Sequence, residues 1–466
     1  MKQVYFFGGG KADGTAQDKN LLGGKGANLA EMTNLGIPVP PGFTISTKVC
    51  TNFMDVGEFP HNLKIEVQNA LEEIEKIMGQ IFGDPENPLL VSVRSGARQS
   101  MPGMMETVLN VGLTSETIPG LIEKSGDERF VYDAYRRLIT MYADVVIEKS
   151  AGIEPKEGEW IREKLDGIMN KMKSQQGVEN DSELSGESLK ELCVLFKAEI
   201  VNTLGEEFPD DPHTQLWGGI TAVFKSWNGK RAVSYRNIEN IPHHWGTAVN
   251  IQAMVFGNMG DNCATGVAFT RNPATGENVF FGEWLPNAQG EDVVAGLRTP
   301  NPLNNLNEGS DAQKLPSLED SMPTIYAELD SIQKRLETHY NDMQDIEFTI
   351  QNGRLWMLQT RTGKRNGQAA VRMAIEMLEE GVIDEKTALM GVKPEQLDEI
   401  MHPMLDEQAE KKSELLAKGL PAGPGGASGQ IVFTADEAEV WHKNGKRVIL
   451  VRNETSPEDV HGMFAS

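Results

Sequence analysis

The sequence of 466 residues is poor in cysteine and has no long hydrophobic run. Its three cysteines, Cys50, Cys193 and Cys263, are too far apart for a metal-ligand cluster or a disulfide framework, so a reducing cytosol is the expected compartment. The apolar start of the chain is too short for a signal peptide, and no apolar run approaches the ~18 residues of a membrane span. We therefore expect a cytoplasmic protein that does not cross a membrane.

Positive charge is also scarce. The chain has 44 Lys and Arg against 68 Asp and Glu, which gives a net charge of −24. General binding to nucleic acid or to an anionic membrane needs a basic surface, so both partner classes are excluded. An anionic nucleotide in a local basic pocket is still compatible with this charge. With 39% hydrophobic and 24% charged residues, the composition is that of a globular protein, and the length predicts about three domains.

The order of apolar segments predicts a mixed helix and strand protein, of class α+β or α/β. Short strands and glycine-rich turns occupy the first 110 residues, amphipathic helices follow at 115–200, and β-rich runs return from 217 to 300. Residues 362–418 are predicted to be helical. A Gly/Pro-rich stretch at 419–429 then begins a short piece with two strands, a helix and a helix start at Ser456-Pro457. This piece is too small to bury its apolar faces alone, so we expect it to be an incomplete domain.

The first candidate site is a glycine-rich turn around Lys25. Gly23, Gly24 and Gly26 precede a helical run, and backbone N–H groups at such a helix start bind anions. Lys25 adds a point charge. The segment is not a P-loop, because no Ser or Thr follows the Gly-Lys pair. A plain glycine turn is the alternative.

The second candidate begins with Arg94, which lies at the end of a predicted strand, where its guanidinium can bind phosphate oxygens. The loop after it combines glycine, proline and three methionines, as expected for a mobile flap over a bound group. The alternative is that the methionines fill a gap in the core.

The third candidate is the hairpin 345–361. A three-residue loop, Gln351 to Gly353, would place Asp345 opposite Gln359 and Glu347 opposite Met357, so that Asp345, Glu347, Gln359 and Arg361 share one polar face. We predict this register, because it also collects the apolar side chains on the other face. Two carboxylates spaced in this way can hold Mg²⁺. A solvated face with cross-strand ion pairs is the alternative.

A fourth segment, 252–258, is predicted to be a hinge whose backbone N–H and C=O groups face a purine edge. Acidic residues next to glycine turns follow at 282–284 and 288–296. The alternative is a β-meander with acidic loops.

Several segments in this order carry a family resemblance. They are GGKGANLAEM (23–32), PVPPGFTIS (38–46), VRSGARQSMPGMMETVLN (93–110), GTAVNIQAMVFGNMG (246–260), GVAFTRNPATGE (266–277), NAQGEDVVAG (287–296), DIEFTI (345–350), LQTR (358–361), GLPAGPGGASG (419–429) and ETSPED (454–459). Over essentially the whole chain the sequence resembles pyruvate phosphate dikinase. The related phosphoenolpyruvate synthase shares the GGK segment and the arginine strand, but the Met-Pro-Gly-Met-Met flap and GEDVVAG favour the dikinase.

The resemblance implies an ATP-grasp nucleotide-binding domain over residues 1–361, with a helical insertion at about 112–200. A helical linker at 362–418 and an incomplete swivelling phosphohistidine domain at 419–466 would follow. The implied site residues fall into three groups. Phosphates would be bound by Lys25 and Arg94 and covered by a lid with the ATP-site residues Met101, Gly103, Met104 and Thr107. Adenine and ribose would lie near Met254, Val255 and Glu283. Mg²⁺ would be held by Asp345 and Glu347, with Gln359 and Arg361 at the phosphate chain, and Arg94 and Arg361 would be the catalytic residues.

The family converts ATP, phosphate and pyruvate to AMP, pyrophosphate and phosphoenolpyruvate through a phosphorylated histidine. That histidine follows an ETSPED segment in the family, and these 466 residues contain no Thr-Ser-His segment and no pyruvate-binding barrel. We therefore expect the chain to bind Mg-ATP without completing the cycle alone. A non-catalytic nucleotide-binding protein is an alternative from another class.

Overall fold

A computed structural model describes the chain except for residues 1, 157, 295–298, 308–314, 402–405, 407–408, 410–411, 415–425 and 453–458. The chain forms two compact units. The first contains Met1–Thr265, Pro286–Gly290 and Phe348–Gln359, and the second contains Gly266–Leu285, Glu291–Glu347 and Thr360–Ser466. The segment expected to be a single domain, 1–361, therefore contributes residues to both units.

The first unit contains a six-stranded sheet with the order β2-β1-β3-β8-β6-β7. Neighbouring strands are antiparallel. A short parallel pair, β4–β5, accompanies the sheet. The strands are β1 (Val4–Gly8), β2 (Lys11–Ala12), β3 (Gly42–Ile45), β4 (Ile81–Phe82), β5 (Pro88–Leu89), β6 (Val91–Ala97), β7 (Thr107–Val111) and β8 (Thr247–Ala253).

Most of the first unit outside this sheet is helical. The helices are α1 (Lys19–Asn34), α2 (Thr47–Val56), α3 (Leu63–Met78), α4 (Ile118–Ser125), α5 (Glu128–Tyr142), α6 (Ile161–Gln176), α7 (Gly186–Leu204), α8 (Pro212–Ser226) and α9 (Lys230–Ile238). A π-helical turn, Ala143–Lys149, continues α5, and short 3₁₀ turns occur at Ala16–Asp18, Asp181–Glu183 and His243–Trp245.

The helical region extends further along the chain than the sequence pattern predicted. A return to strands from residue 217 was wrong, because α8 and α9 precede β8. Helix α8 buries Leu216, Ile220, Val223 and Phe224, which lie at helical spacing. Helix α6 lies within the region 115–200 that was predicted to be helical, and it buries Ile161, Leu165, Met169 and Met172 along one face.

The two faces of the first sheet differ in polarity. One face carries Phe43, Val93 and Ile251, which are opposite one another across β3, β8 and β6 and are completely buried. Helix α8 packs on this face, since a Cβ added at Gly219 would contact the side chain of Val93 at 3.5 Å. Because side chains alternate along a strand, the residues between these point to the other face, where α1 packs.

The second unit contains most of a five-stranded sheet with the order β11-β10-β9-β12-β13. Helix α12 begins at Pro323 and buries Ile325, Leu329, Ile332 and Leu336. The strands are β9 (Ala264–Phe269), β10 (Phe281–Pro286), β11 (Asn301–Pro302), β12 (Gln344–Gln351) and β13 (Arg354–Thr362). The helices are α10 (Gly290–Val294), α11 (Leu318–Ser321), α12 (Pro323–Tyr340), α13 (Gly367–Glu379), α14 (Glu385–Gly391) and α15 (Pro394–Ile400), and a 3₁₀ turn lies at Asn305–Asn307.

The last segment has two short parallel strands, β14 (Gln430–Val432) and β15 (Val448–Leu450), and two helices, α16 (Ala435–Lys443) and α17 (Val460–Ala465). Its small core consists of Val432, Ala438, Val448 and Ala465. Phe433 and Phe464 remain more than half exposed, at 64% and 53%. The predicted helix start at Ser456-Pro457 lies outside the described residues.

None of the helices in the described part of the chain has the length and apolar character needed to cross a bilayer.

Candidate functional site

A row of polar residues crosses the α1-facing side of the first sheet. Thr44 on β3 is paired with Asn250 on β8, Asn250 with Arg94 on β6, and Arg94 with Thr107 on β7. Directly opposed residues of antiparallel strands point to the same face. The predicted site residues Arg94 and Thr107 are therefore neighbours, and they share their face with two polar residues that sequence analysis did not identify.

The predicted glycine turn lies against this row. Helix α1 is interrupted at Gly23, which has φ 67° and ψ 173°, so a new helical segment begins beside Lys25. A Cβ at Gly23 would overlap the carbonyl oxygen of Gly96 in β6. A Cβ at Gly26 would lie 2.6 Å from the Thr44 Oγ1 and 2.8 Å from the Asn250 Oδ1. Glycine is thus required at both positions for helix α1 to lie this close to the sheet. The close packing brings the start of a helical segment to β6, which carries Arg94, and to its neighbours β8 and β3.

Asn250 occupies the centre of the polar row and is completely buried. Its Oδ1 accepts a hydrogen bond of 2.8 Å from the Thr44 hydroxyl. Its Nδ2 has no hydrogen-bond partner among the described residues. Since buried amide donors are nearly always paired, this orphaned donor is unusual for a residue with only a packing role. The sequence signal that could have identified Asn250 is a polar residue between two apolar ones, Val249 and Ile251, in the middle of a buried strand.

The loop between β6 and β7 forms a flap, defined here as residues 98–106. At its tip, the N–H of Met104 donates to the carbonyl of Met101 over 3.2 Å, and Gly103 has φ 71°. This geometry, with Pro102 before the glycine, is a type II β-turn. Met101 and Met104 are buried, as the gap-filling alternative predicts, whereas Pro102 and Gly103 are exposed.

The predicted hinge follows β8 directly. The N–H of Met254 donates to the Leu90 carbonyl over 2.9 Å, and the N–H of Phe256 donates to the Gln351 Oε1 over 2.7 Å. Val255 lies between them, and no hydrogen bond from its N–H is found among the described residues. Of the three residues 254–256, Val255 therefore has the backbone donor that is left for a ligand.

The hairpin β12–β13 turns differently from the prediction. Asn352 and Gly353 alone separate the strands, and both are left-handed, with φ 51° and φ 72°. This is the two-residue type I′ turn, so the predicted three-residue loop was wrong. An Asn-Gly pair forms this turn readily because both residues tolerate positive φ.

At the base of the hairpin, the N–H of Gly363 donates to the Met343 carbonyl over 2.9 Å. This bond places Asp345 opposite Arg361 instead of Gln359, so the predicted pairing was also wrong. From the turn to this base, β13 uses one residue more than β12, which is the signature of a β-bulge. The extra residue restores the predicted sharing of a face by Asp345 and Arg361.

Asp345 and Arg361 form an ion pair in the second unit. The Arg361 Nε donates to the Asp345 Oδ2 over 2.6 Å, and Asp345 is 7% exposed. Burial raises the pKa of the Asp345 carboxyl, Arg361 opposes this effect, and Glu347 adds to it. Among the described residues there is no group of three metal-binding side chains. Glu347 is two residues from Asp345 on the same strand, so these two carboxylates lie on one face.

The predicted site residues therefore form two groups, one in each unit. Arg94, Thr107, the glycine turn, the flap and the hinge belong to the first unit, as does Gln359. Asp345, Glu347 and Arg361 belong to the second unit. Glu283 is also in the second unit, on β10, where it is exposed and paired with Pro302 of β11.

The chain matches a protein-family model over most of its length. The model described as pyruvate phosphate dikinase, AMP/ATP-binding domain, matches residues 19–68, 56–309 and 304–382. These ranges contain both groups of site residues. The chain belongs to this family.

Curated members of the pyruvate phosphate dikinase family are similar along the whole chain. Pyruvate, phosphate dikinase of Rhizobium meliloti (strain 1021) is 51% identical over 466 residues, and pyruvate, phosphate dikinase 2 of Oryza sativa subsp. japonica is 51% identical over 465 residues. Pyruvate, phosphate dikinase of Clostridium symbiosum is 48% identical over 467 residues. All of this chain is covered, but only 50% of each of these relatives. The chain thus spans about half the length of these dikinases, and the phosphoenolpyruvate synthase alternative is not favoured.

Proposed function

We propose that this chain is the nucleotide-binding part of a pyruvate phosphate dikinase, with an ATP-grasp fold. It would bind Mg-ATP and phosphate and transfer phosphoryl groups to a histidine. The overall reaction would convert ATP, phosphate and pyruvate to AMP, diphosphate and phosphoenolpyruvate. The observation that supports this best is the approach of the Lys25 glycine turn to the strands carrying Arg94, in a family whose model is described as AMP/ATP-binding.

In this proposal the polar row is the floor of the phosphate site. Lys25 supplies a charge at the start of a helical segment, where backbone N–H groups and the helix dipole both favour an anion. Arg94 supplies a planar guanidinium that can bind two phosphate oxygens at once. The flap, through Met101, Gly103 and Met104, would cover the phosphates, and Thr107 would lie at its base beside Arg94.

The adenine would bind at the hinge. The unused N–H of Val255 can donate to a ring nitrogen, and a neighbouring backbone carbonyl, such as that of Met254, can accept from the exocyclic amine. Val255 is 8% exposed, so a base that binds there would be largely shielded from water. Glu283 would contact the ribose.

Asp345 and Glu347 are the proposed magnesium ligands. Their fit rests on the donor set: two carboxylates on one strand face, one of them buried, match the oxygen ligands that Mg²⁺ prefers. Two protein ligands are few, which also suits Mg²⁺, because it usually takes its other ligands from phosphates and water. Bound there, the ion would neutralise charge on the phosphate chain. Arg361 would orient the Asp345 carboxylate and neutralise charge on the transferring group.

The histidine acceptor and the pyruvate site are proposed partners of this chain. Residues 419–466 would belong to the swivelling phosphohistidine domain, and residues 362–418 would be the linker that carries it. A cytoplasmic location remains a prediction. Neither nucleic acid nor a membrane is a proposed partner.

Calorimetric titration with Mg-ATP tests the nucleotide site. We expect binding by the unaltered chain and weaker binding by at least roughly tenfold in Lys25→Met and Arg94→Met, since each removes a charged hydrogen bond to phosphate. Lys19→Met is the matched control, because Lys19 is exposed on the same helix α1, and it should bind like the unaltered chain. Equal affinity in all four proteins would contradict the assigned site.

Transfer chemistry is tested by supplying a phosphohistidine domain in trans with γ- or β-labelled ATP. Phosphorylation of that domain supports the dikinase assignment. Nucleotide binding without any transfer would instead support the non-catalytic alternative. Formation of AMP without added phosphate would support the synthase.

A further inference from the structure

The structure assigns a positioning role to Glu106: it fixes the end of the flap to the helical region, and so sets the position of the flap. This inference deepens the proposed function, because it concerns the flap over the proposed phosphate site. Glu106 itself was not among the predicted site residues. The argument rests on contacts within the first unit.

Glu106 is held by two cations from distant parts of the chain. The Arg231 Nη2 lies 2.6 Å from the Glu106 Oε1, and the Lys149 Nζ lies 3.8 Å from the same oxygen. The three side chains are 16%, 23% and 27% exposed, so water screens these charges less than on an open surface. The N–H of Glu106 also points to the Ser226 hydroxyl, at 3.5 Å. The backbone and the side chain of Glu106 together hold this end of the flap against the helical region.

The other end of the flap is attached to the same segment. Arg98 donates from Nη2 to the Trp245 carbonyl over 3.4 Å, and its guanidinium lies 5.3 Å from the centre of the Trp245 ring. Residues 226–245 therefore contact both ends, and we call this segment the brace. It comprises Ser226, α9 and the turn His243–Trp245.

Non-covalent contacts between its own residues hold the brace together. Arg236 is almost completely buried, stacks 4.1 Å from the centre of the Trp227 ring and donates from Nε to the His243 Nδ1 over 3.1 Å. The Trp227 Nε1 donates to the His243 carbonyl over 2.8 Å. A segment with these contacts is a fixed support, whereas the flap tip consists of an exposed Pro-Gly turn. The carboxylate of Glu106 links the flap to this support through its 2.6 Å contact with Arg231.

Lys149 adds a second connection. It ends the π-helical turn Ala143–Lys149, and its Nζ also lies 3.0 Å from the Asp144 Oδ1. Single π-helical turns inside α-helices occur often at functional positions. Here the turn directs a lysine from the helical insertion toward the flap, so the insertion and the brace meet at Glu106.

Hydrogen exchange of the flap without nucleotide tests the inference directly. We expect Glu106→Ala to increase exchange of residues 99–106 by roughly threefold to tenfold, because both charged contacts are lost. Exchange in β6 and β8 should stay unchanged, which shows that the unit remains folded. Glu116→Ala is the matched control, since Glu116 is exposed and has no partner among the described residues.

A double-mutant cycle separates positioning from a general structural effect. Arg231→Met should reproduce most of the increase in flap exchange, and the double variant should add little to either single variant. Glu106→Asp, which retains the charge, should restore part of the protection. Additive effects, or flap exchange unaffected by Glu106→Ala, would overturn the assignment.

Titration with Mg-ATP completes the test. We expect Glu106→Ala to weaken Mg-ATP binding about threefold to tenfold, without removing it, because the phosphate-binding side chains are retained. The two proposals fail in different ways. If the unaltered chain does not bind Mg-ATP, the proposed function fails while the exchange comparison still decides the role of Glu106. If Mg-ATP affinity is unchanged although the flap is looser, the flap position does not contribute to nucleotide binding and the inference fails alone.

Discussion

Replacing Gly26 with alanine tests the packing of the glycine turn on the sheet. The added Cβ would lie 2.6 Å from the Thr44 Oγ1, 2.8 Å from the Thr44 Cγ2 and 2.8 Å from the Asn250 Oδ1. Both branches of the threonine are therefore too close, and rotation about χ1 would only exchange one overlapping atom for the other. Helix α1 or strand β3 must move, and the Thr44–Asn250 hydrogen bond would be strained.

The expected magnitude combines two opposing effects. Alanine in place of glycine favours a helix by about 1 kcal/mol, while overpacking of a buried site costs about 1–3 kcal/mol. Loss of the Thr44–Asn250 bond costs about 1 kcal/mol more. We expect Gly26→Ala to lower the free energy of unfolding of the first unit by about 1–3 kcal/mol, and to weaken Mg-ATP binding because the helix start is displaced.

Gly167→Ala provides the matched control. Gly167 lies in α6, and a Cβ there would meet no atom within 4 Å. The same substitution should therefore stabilise the chain by up to about 1 kcal/mol. Native-state hydrogen exchange of β3 and β8, with a urea titration of each variant, measures both changes. If Gly26→Ala is as stable as Gly167→Ala and retains Mg-ATP affinity, the turn does not pack as described, and the phosphate site argued from it is wrong.

Three further predictions concern stability. Arg271 is completely buried between Glu337, 2.9 Å away, and Glu380. Arg271→Met should therefore lower the urea midpoint by the equivalent of roughly 2–4 kcal/mol, because it leaves buried carboxylates without their partner. An unchanged midpoint would disprove the buried ion pairs. Burial alone would raise the pKa of Asp133, but Arg136 and Arg137 outweigh it and hold that pKa below its usual value. Asp133 therefore stabilises the fold at pH values above its unfolded-state pKa, and this contribution is lost as the pH falls through its folded-state pKa. In acid titrations, the free energy of unfolding of Asp133→Asn should fall less steeply with decreasing pH than that of the unaltered chain. Asn352→Ala should lower the thermal midpoint by the equivalent of about 1 kcal/mol because of its positive φ, whereas Asn352→Gly should change it little, and equal midpoints would contradict the type I′ turn.

The sequence alone determined most of the local structure. Apolar segments located short strands in the first 110 residues, and amphipathic spacing located helices at 115–200, because these patterns record which side of an element is buried. The Asn-Gly pair identified the position of the hairpin turn. The order of the motifs indicated the family.

The turn geometry of the hairpin was decided by backbone conformation and not by pattern. The side-chain pattern required Asp345 and Arg361 on one face, and a three-residue loop was the simplest solution. The chain instead combines the two-residue turn that Asn-Gly favours with one extra residue in β13. Both solutions give the same faces, so alternation alone could not distinguish them.

Only the tertiary structure decided which distant residues meet. Thr44, Asn250, Arg94 and Thr107 become a row because strands from separate parts of the chain are paired at one register, and no local spacing records that register. The same is true of Glu106, whose partners Lys149 and Arg231 follow it by many residues. Local patterns arise from the burial of one face by each element, whereas the site depends on pairing between elements, which is fixed when the whole core forms.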